Sequence, residues 1–283
     1  MKIDGNLIAD KILKELEEKV RKLKKKNIIP HLAIILIGKD HPSKTYVNQK
    51  KIKGEEIGAK ISVFNFEENL SFVELKKLVD KLNNDPKVHG IIIQRPLPNQ
   101  IDEILARQIV ISEKDVDGFL SNSKFNEPIA EAVLEILKTI FRASTPGVER
   151  KDFNRWLNQK KVVVVGKGRT GGRPVINLFR NIKIEPIIVD SKTPNPAAVI
   201  KSADILISTV GRHGIIKTNG IKNGAILIGI GMHKGKDGRL HPDYNQEEIA
   251  SITSYYTPVP GGVGPVNVAM LLKNLINILA LKI

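Results

Sequence analysis

Hydrophobic and polar positions follow a helical period at the start of the chain and then give way to short apolar runs. In the first segment, apolar residues recur at intervals of three and four, at Ile8, Ile12, Leu16, Val20 and Leu23. This spacing places them on one face and predicts a long amphipathic first helix. Three runs of strand length follow at residues 31–38, 61–66 and 90–94. They indicate three strands, of which 31–38 has the composition of a buried one.

Helical segments are predicted between these strands, at residues 46–57 and 71–82. Ser71 and Glu74 have the spacing of a capping box, in which each residue satisfies a free backbone N–H at the start of a helix. Strand, helix, strand, helix, strand is the order of a parallel sheet with right-handed crossovers.

The alternation starts again after Pro128. Helices are predicted at 129–142, from Gly172 and near Ala197, and strands at 161–165, 184–189, 205–210 and 225–229, the last closing the series. This second block of about 140 residues is Rossmann-like. A final apolar helix over 266–281 has no strand after it, so we expect it to return to the first block.

The predicted fold class is therefore α/β, with two lobes and a cleft between them. Residues 1–127, completed by 264–283, would form an N-terminal α/β catalytic and substrate domain. Residues 128–263 would form a Rossmann-like, parallel-sheet dinucleotide-binding domain.

Composition argues against a membrane-spanning protein, an exported protein and a metal-binding protein. No apolar run approaches the roughly 18 residues that a membrane span needs, and no signal-like segment opens the sequence. The chain has no cysteine, which fits a reducing cytoplasm. Six histidines show no metal-ligand spacing, so no metal site is expected, and His213, His233 and His241 are expected in loops.

The formal net charge of +15 favours anionic ligands. Lysine-rich segments at 22–26 and 44–53 carry much of the excess. Aromatic residues amount to 5% and do not interleave with these segments, so nucleic-acid binding is a minority interpretation. Small phosphorylated or carboxylated ligands suit the charge better.

The glycine loop Gly166-Lys-Gly168-Arg-Thr-Gly171 follows a predicted strand and precedes a predicted helix. In that context it indicates a dinucleotide fingerprint, whose glycines let backbone N–H groups approach a pyrophosphate. Asp190 ends the next strand, where an acid would bind a ribose hydroxyl and favour NAD. Lys167, Arg169, Ser191 and Lys192 lie in the same two loops and could instead accommodate the 2′-phosphate of NADP. A capping role in a turn is the alternative for Asp190.

Three further segments carry candidate chemistry. Tyr46 and Lys50 are four residues apart on one helix face, and a lysine shielded from water can serve as a general acid or base. A solvated basic face is the alternative, and spacing alone favours it. Gln94 ends an apolar strand, at the sheet edge where α/β proteins bind ligands. Asp115 and Asp117 lie beside a glycine turn in Lys114–Phe119, and an ordinary Asp-Gly turn is the simpler interpretation.

The run T-P-V-P-G-G-V-G-P at Thr257–Pro265 combines three prolines with three glycines. Such a run is shaped but not helical, and it cannot pair as a central strand. Considered alone, it indicates a rigid turn before the last helix.

Together these segments resemble the bifunctional methylenetetrahydrofolate dehydrogenase/cyclohydrolase family, over nearly the whole chain. The shared motifs are S-x-x-Y-x-x-x-K at Ser43–Lys50, Q-x-P-L-P at Gln94–Pro98, K-D-V-D-G-F at Lys114–Phe119, T-P at Thr145–Pro146, the glycine loop at Gly166, and T-P-V-P-G-G-V-G-P at Thr257–Pro265.

The resemblance implies a role for each matching residue. Tyr46 would stack on the aminobenzoyl ring of the folate, and Lys50 would be the catalytic group that hydrates and opens the methenyl bridge. Gln94 would set the protonation of Lys50, and Asp117 would bind the amide edge of the pterin. The implied substrate-binding set is Tyr46, Lys50, Gln94, Pro96, Leu97, Asp117, Pro258, Gly261 and Gly262. Hydride transfer would need mainly proximity and alignment.

The implied cofactor-binding set follows from the same match. It comprises Gly166, Lys167, Gly168, Arg169, Gly171, Gly172, Asp190, Ser191, Lys192, Thr209, Gly211, Thr257, Pro260 and Gly261. Within it, Gly211 would lie beside the nicotinamide half, and the Thr257–Pro265 run would line the cleft where nicotinamide and folate meet.

The chain also departs from the family pattern. The usual G-R-S of the cofactor loop is Gly166-Lys167-Gly168, and Asp190 replaces a histidine-like residue. The usual I-D-V-G reads Ile228–Gly231, which loses a carboxylate. Further substitutions are Ile52 for a lysine, Arg95 for a leucine, and Val266-Asn267 for Met-Thr. The changes at the cofactor loop and at Asp190 place the choice between NADP and NAD in question, although Lys167 and Ser191 could preserve the preference for NADP.

The resemblance implies a cytoplasmic, homodimeric enzyme that binds tetrahydrofolate derivatives and NADP, with NAD as the alternative because of Asp190. It would bind neither nucleic acid nor membrane. A single-activity variant, either mainly a cyclohydrolase or an NAD-dependent dehydrogenase, is the second hypothesis. A non-catalytic nucleotide-binding protein is a remote third.

Overall fold

A computed structural model describes residues 1–147, 149 and 152–280. It divides into two compact units. The first unit comprises Asp10–Pro128 and the chain from Val268 onward, and the second comprises Met1–Ala9 and Ile129–Asn267. The two boundaries near the termini fall within long helices, α1 (Gly5–Lys24) and α10 (Val263–Ala280).

The first unit contains a parallel sheet in the order β2-β1-β3. Its strands are β1 (His31–Ile37), β2 (Lys60–Phe66) and β3 (Gly90–Ile93), and its further helices are α2 (His41–Glu56), α3 (Phe72–Asn84) and α4 (Glu103–Gln108). Every residue of β1 is buried, as expected of the central strand. The predicted parallel order is confirmed for all three strands.

Local signals explain where two of these helices begin. Asp40 caps α2, because its carboxylate accepts the Ser43 N–H at 2.9 Å, and a proline occupies the first turn. The helix therefore starts five residues before the predicted Tyr46. The capping box of α3 is confirmed, with Ser71 and Glu74 bonding each other's backbone N–H.

The second unit contains a five-stranded parallel sheet in the order β10-β7-β6-β4-β5. Its strands are β4 (Val162–Val165), β5 (Ile187–Val189), β6 (Ile205–Ser208), β7 (Ile226–Gly229) and β10 (Tyr255–Tyr256). Its helices are α5 (Pro128–Ser144), α6 (Phe153–Asn158), α7 (Gly172–Asn181), α8 (Pro196–Lys201) and α9 (Gln246–Ile249), and an antiparallel hairpin joins β8 (Met232–Lys234) to β9 (Leu240–Pro242).

The return of the last helix to the first block is confirmed. Leu272 and Leu275 of α10 are buried, and a Cβ atom on Gly54 of α2 would lie 3.4 Å from Leu272. A Cβ on Gly90 of β3 would lie 3.0 Å from Leu275. The predicted end of this helix at Leu281 lies outside the described residues. Among the helices that the structure describes, none is long and apolar enough to cross a membrane.

Three sequence expectations about the second unit were wrong. Residues 225–229 do not close the sheet, because β10 pairs beyond β7. Val263–Pro265 belong to the first turn of α10, where proline is tolerated since those N–H groups have no partner within the helix. His233 and His241 lie opposite each other in the β8-β9 hairpin rather than in loops. Two of the errors concern short strands, which carry little periodicity, and the third concerns the first turn of a long helix.

Candidate functional site

Helix α2 presents Tyr46 and Lys50 one turn apart on the first unit. Lys50 is only 7% exposed, and its Nζ donates a hydrogen bond of 2.9 Å to Gln94 Oε1. Tyr46 is partly buried. The structure therefore excludes the solvated basic face for Lys50 and brings Lys50 and Gln94 together as expected.

The surroundings of Lys50 favour its neutral form. Burial lowers the pKa of Lys50, Asp117 raises it in part, and the charge of Arg95 lowers it further. Burial alone raises the pKa of Tyr46, so its phenol stays protonated near neutral pH. A buried amine whose pKa is lowered gives up its proton more readily than an exposed lysine does, as a general acid or base requires.

Gln94 lies at the carboxyl end of β3, where its backbone N–H continues the sheet to Ile35 O at 2.8 Å. Its side-chain Nε2 donates to Arg95 O at 2.8 Å, and the Ser43 hydroxyl of α2 donates to the same carbonyl at 3.2 Å. The Arg95–Pro96 peptide bond is cis. With both ends of its amide engaged, Gln94 presents its oxygen to Lys50 in one orientation.

Asp115 and Lys114 build the turn that carries Asp117. Asp115 is buried and accepts the N–H groups of Phe119 at 3.3 Å and Leu120 at 2.9 Å. Lys114 is also buried and donates to Leu82 O at 2.7 Å and to Asp85 O at 2.6 Å, at the end of α3. Asp117 itself is partly exposed. Within this motif, Lys114 and Asp115 therefore stabilise the turn, and Asp117 is left accessible to the site.

Two tight contacts set the backbone around Asp117. Gly118 has a φ of +70°, and a Cβ there would lie 2.7 Å from the Asn126 backbone, so only glycine fits without strain. Asn274 of α10 donates to Val116 O at 3.0 Å and to Asn126 O at 3.4 Å. Asp117 and Leu97 line the same pocket, while Pro96 beside them is exposed.

The glycine loop of the second unit has the form that a dinucleotide requires. Gly166 directly follows β4 and has a φ of +94°. A Cβ on Gly172 would lie 2.2 Å from Gly166 O, so the glycine allows α7 to approach the strand closely. A Cβ on Gly168 would meet nothing within 4 Å, so this glycine leaves the loop open on one side. Gly171 caps the ten-residue α7 and has no side chain to cover its first N–H groups. These features fit a pyrophosphate at the helix N-terminus.

Lys167 and Asp190 form an ion pair beside this loop. Lys167 Nζ lies 2.6 Å from Asp190 Oδ2, and Lys192 N–H donates to Asp190 Oδ1 at 2.9 Å. The hydrogen bond from Lys167 is the main cause that lowers the pKa of Asp190 to about 2. Arg169, Ser191 and Lys192 are all exposed around the pair. The residues that point toward NAD and toward NADP are thus direct partners.

Asp243 organises the loop after β6, and the sequence analysis missed it. It is fully buried and accepts Ser208 Oγ at 2.5 Å, Val210 N–H at 3.0 Å and Arg212 N–H at 2.8 Å. Thr209 and Gly211 lie within this loop, and Gly211 has a φ of +74°. Asp243 follows directly after β9, where the sequence shows only an ordinary His-Pro-Asp turn.

Tyr244 and Gln246 hold the Pro/Gly run from within the second unit. The Tyr244 hydroxyl donates to Thr257 O at 2.5 Å, and Gln246 bonds both Val259 N at 2.9 Å and Val259 O at 3.0 Å. Thr257 is fully buried and its Oγ1 accepts the Gly229 N–H at 2.8 Å. The Val259–Pro260 bond is cis, Pro258 and Gly262 are buried, and Pro260 is exposed.

The structure explains why position 229 is a glycine, although the family that the chain resembles usually carries a carboxylate there. A Cβ on Gly229 would lie 2.3 Å from the Tyr244 hydroxyl oxygen. The phenol therefore fills the space that a side chain at position 229 would need. A glycine followed 15 residues later by a tyrosine gives no local signal, so sequence reasoning could note the lost carboxylate but not its replacement.

Comparison with known proteins agrees with this geometry. Residues 3–117 match the model described as tetrahydrofolate dehydrogenase/cyclohydrolase, catalytic domain, and residues 149–282 match its NAD(P)-binding domain. A bifunctional protein FolD of Ligilactobacillus salivarius is 38% identical over 279 residues, covering 98% of this chain and 95% of the relative. One from Bacillus anthracis is 37% identical over 96% of this chain and 94% of the relative.

Two crystal structures are also similar. The bifunctional enzyme FolD, methylenetetrahydrofolate dehydrogenase/cyclohydrolase, from Campylobacter jejuni has a TM-score of 0.90 and 33% identity, over 100% of this chain and 99% of that one. The methylenetetrahydrofolate dehydrogenase-cyclohydrolase of Trypanosoma brucei, complexed with NADP cofactor and inhibitor, has a TM-score of 0.88 and 33% identity, over 100% and 98% of the two chains.

Proposed function

Because the chain belongs to the tetrahydrofolate dehydrogenase/cyclohydrolase family, we propose that it oxidises 5,10-methylenetetrahydrofolate with NADP and hydrolyses the methenyl product to 10-formyltetrahydrofolate. The observation that carries this proposal is the buried Lys50 bonded to Gln94, with Asp117 close enough to influence its charge. A structural role alone would not explain a buried lysine whose pKa is lowered and whose amine donates a hydrogen bond to a neutral amide.

In the hydrolytic step, Lys50 takes a proton from the water that adds to the methenyl carbon. The bond from that carbon to N5 of the folate then breaks as Lys50 returns the proton to N5. The carbinol oxygen releases its remaining proton to solvent and becomes the formyl carbonyl, and the formyl group stays on N10. Gln94 holds the amine in place by its 2.9 Å hydrogen bond. Asp117 orients the pterin through its amide edge, and Tyr46 stacks on the aminobenzoyl ring. The resemblance of the motifs that contain these residues supports each of these roles.

For the oxidative step, the second unit binds the dinucleotide. NADP, when bound, supplies the hydride acceptor. Gly166, Gly168 and the N-terminus of α7 would hold the pyrophosphate, and Lys167 and Arg169 would meet the 2′-phosphate. Asp243 shapes the loop of Thr209 and Gly211 through its three hydrogen bonds. The position of Thr257–Pro265 where nicotinamide and folate meet stays a prediction.

The proposal is tested with the purified chain and two lysine variants. Methylenetetrahydrofolate oxidation is followed with NADP and with NAD, and methenyltetrahydrofolate hydrolysis is followed separately. Lys50→Met is expected to lower hydrolysis by about 10²- to 10⁴-fold, because it removes the general acid/base, while hydride transfer persists. Lys51→Met is the matched control: Lys51 is the next residue on α2 and is exposed, so both activities are expected to be retained.

Three outcomes separate the hypotheses. Undiminished hydrolysis in Lys50→Met contradicts the role of Lys50. Normal hydrolysis without turnover on either dinucleotide supports the single-activity variant. If the wild-type chain shows neither activity, the result favours the hypothesis of a non-catalytic nucleotide-binding protein.

We also propose that the enzyme is a cytoplasmic homodimer. Light scattering after size-exclusion chromatography tests its mass, for which 31.4 kDa is the value of a monomer. Cell fractionation tests the location.

A further inference from the structure

Arg95 replaces a leucine of the usual motif, directly after Gln94, and its side chain is held in a confined place. Its Cζ lies 3.8 Å from the centroid of the Phe119 ring, and that of Arg107 lies 5.0 Å from the same centroid. The side chain of Arg95 is only 12% exposed. Stacking on an aromatic face suits a guanidinium, but it does not neutralise the charge.

Glu127 is the acid that pairs with this guanidinium. Its Oε2 lies 3.5 Å from Arg95 Nη2, and its side chain is 17% exposed. Burial raises the pKa of Glu127 to about 7, and Asp117 contributes in the same direction, against the opposing effects of Arg95 and Arg107. The charge that faces Arg95 therefore changes within the physiological range.

The backbone of Arg95 is part of the framework around Lys50. Its carbonyl accepts hydrogen bonds from Gln94 Nε2 and from Ser43 Oγ. Its guanidinium charge acts on the Lys50 amine in the same sense as burial does. Position 95 thus contributes both to the geometry and to the electrostatics of Lys50.

The charged groups around this network come from four elements. Lys50 lies on α2, Glu103 and Arg107 on α4, Asp115 and Asp117 in the loop before Phe119, and Glu127 immediately before α5. Asp117 acts on Lys50 and on Glu127. Of these groups, Glu127 forms the ion pair with Arg95, and its pKa is raised to about 7.

We propose that Arg95 is a positioning residue for Lys50, and that the protonation of Glu127 sets how much of the positive charge of Arg95 the Lys50 amine experiences. With Glu127 ionised, the charge of Arg95 is balanced and Lys50 holds its proton more tightly. With Glu127 protonated, the charge of Arg95 is unbalanced and Lys50 releases its proton at a lower pH. This inference rests on the proposed hydrolytic function and adds a control of it.

The test compares the pH dependence of methenyltetrahydrofolate hydrolysis in four full-length chains: wild type, Glu127→Gln, Arg95→Leu, and the double variant. Glutamine mimics the protonated acid, so Glu127→Gln is expected to move the half-maximal pH downward by about one unit. This downward shift is expected whether the reaction needs the neutral or the charged amine, because the pKa of Lys50 sets the half-maximal pH in either case. Arg95→Leu is expected to move it upward.

The double variant shows whether Glu127 acts through Arg95. Adding Glu127→Gln to Arg95→Leu is expected to move the profile by much less than it does in the wild type, because the charge that Glu127 balances is gone. Arg95→Lys retains the charge and is expected to stay nearer to the wild-type profile than Arg95→Leu. An unmoved profile in Glu127→Gln, or an equal shift in both backgrounds, overturns the proposal.

Urea unfolding at several pH values provides a readout that needs no activity. A Glu127 pKa raised from 4.5 to about 7 means that the folded state binds its proton more tightly than the unfolded state. Stability therefore falls as the pH rises through this window, and Glu127→Gln is expected to lack that fall. If the wild type hydrolyses nothing, the proposed function fails and this inference with it. If the wild type is active but the profiles or the unfolding curves coincide, only the inference fails.

Discussion

Replacing Asp243 by asparagine is expected to destabilise the second unit out of proportion to the size of the change. The two carboxyl oxygens accept three hydrogen bonds: Oδ2 from Ser208 Oγ and Val210 N–H, and Oδ1 from Arg212 N–H. Asparagine has one acceptor oxygen and one donor NH₂ group. Whichever way the amide is turned, one backbone N–H then faces another donor.

The magnitude follows from those contacts. Asp243 is fully buried, so a donor left without an acceptor costs about 1–3 kcal/mol. The remaining bonds become neutral and lose about 1 kcal/mol of charge assistance. We expect Asp243→Asn to lower the free energy of unfolding by about 2–4 kcal/mol. Because Thr209 and Gly211 belong to the same loop, NADP is expected to bind more weakly as well.

Urea denaturation followed by far-UV circular dichroism measures the first effect, and NADP titration followed by calorimetry measures the second. Asp237→Asn is the matched control, since Asp237 also accepts a backbone N–H, from Arg239 at 3.0 Å, but its side chain is 46% exposed. The control is expected to stay within about 0.5 kcal/mol of the wild type. An equally small effect of Asp243→Asn would refute the argument that both oxygens are needed.

Two further predictions concern the ion pair of the cofactor loop and the helix cap of the first unit. Asp190→Ala removes the partner of Lys167 and the carboxylate that repels a 2′-phosphate, so the KM for NADP is expected to fall about two- to fivefold relative to that for NAD. Steady-state assays with both dinucleotides check this, and an unchanged ratio of the two KM values counts against the pairing argument. Lys114→Met removes two charge-assisted hydrogen bonds to the carbonyls at the end of α3, so the free energy of unfolding measured in urea is expected to fall by about 2–4 kcal/mol. A decrease below about 1 kcal/mol would show that water replaces the lysine.

Sequence patterns predicted the long and strongly patterned elements well. The buried run of β1, the capping box of α3 and the apolar period of α1 each reflect local chemistry that short stretches of chain express by themselves. Short elements such as β10 and the β8-β9 hairpin were not predicted, because a strand of two or three residues shows no hydrophobic period. The Pro/Gly run was expected to stay free of helix, yet its last three residues start α10.

For the site, the sequence alone determined which residues can do chemistry, because side-chain type, spacing and order along the chain are local properties. The glycines of the cofactor loop were found from their place between a predicted strand and a predicted helix. Tyr46, Lys50, Gln94 and Asp117 were assigned through the motifs that resemble the family. Only the tertiary structure decided which of them are buried and what each one contacts. Burial and non-local partners set the charge of Lys50, tie Asp190 to Lys167, place Tyr244 over Gly229 and bring Glu127 to Arg95. These effects depend on distances between residues far apart in the chain, and no local pattern specifies such distances.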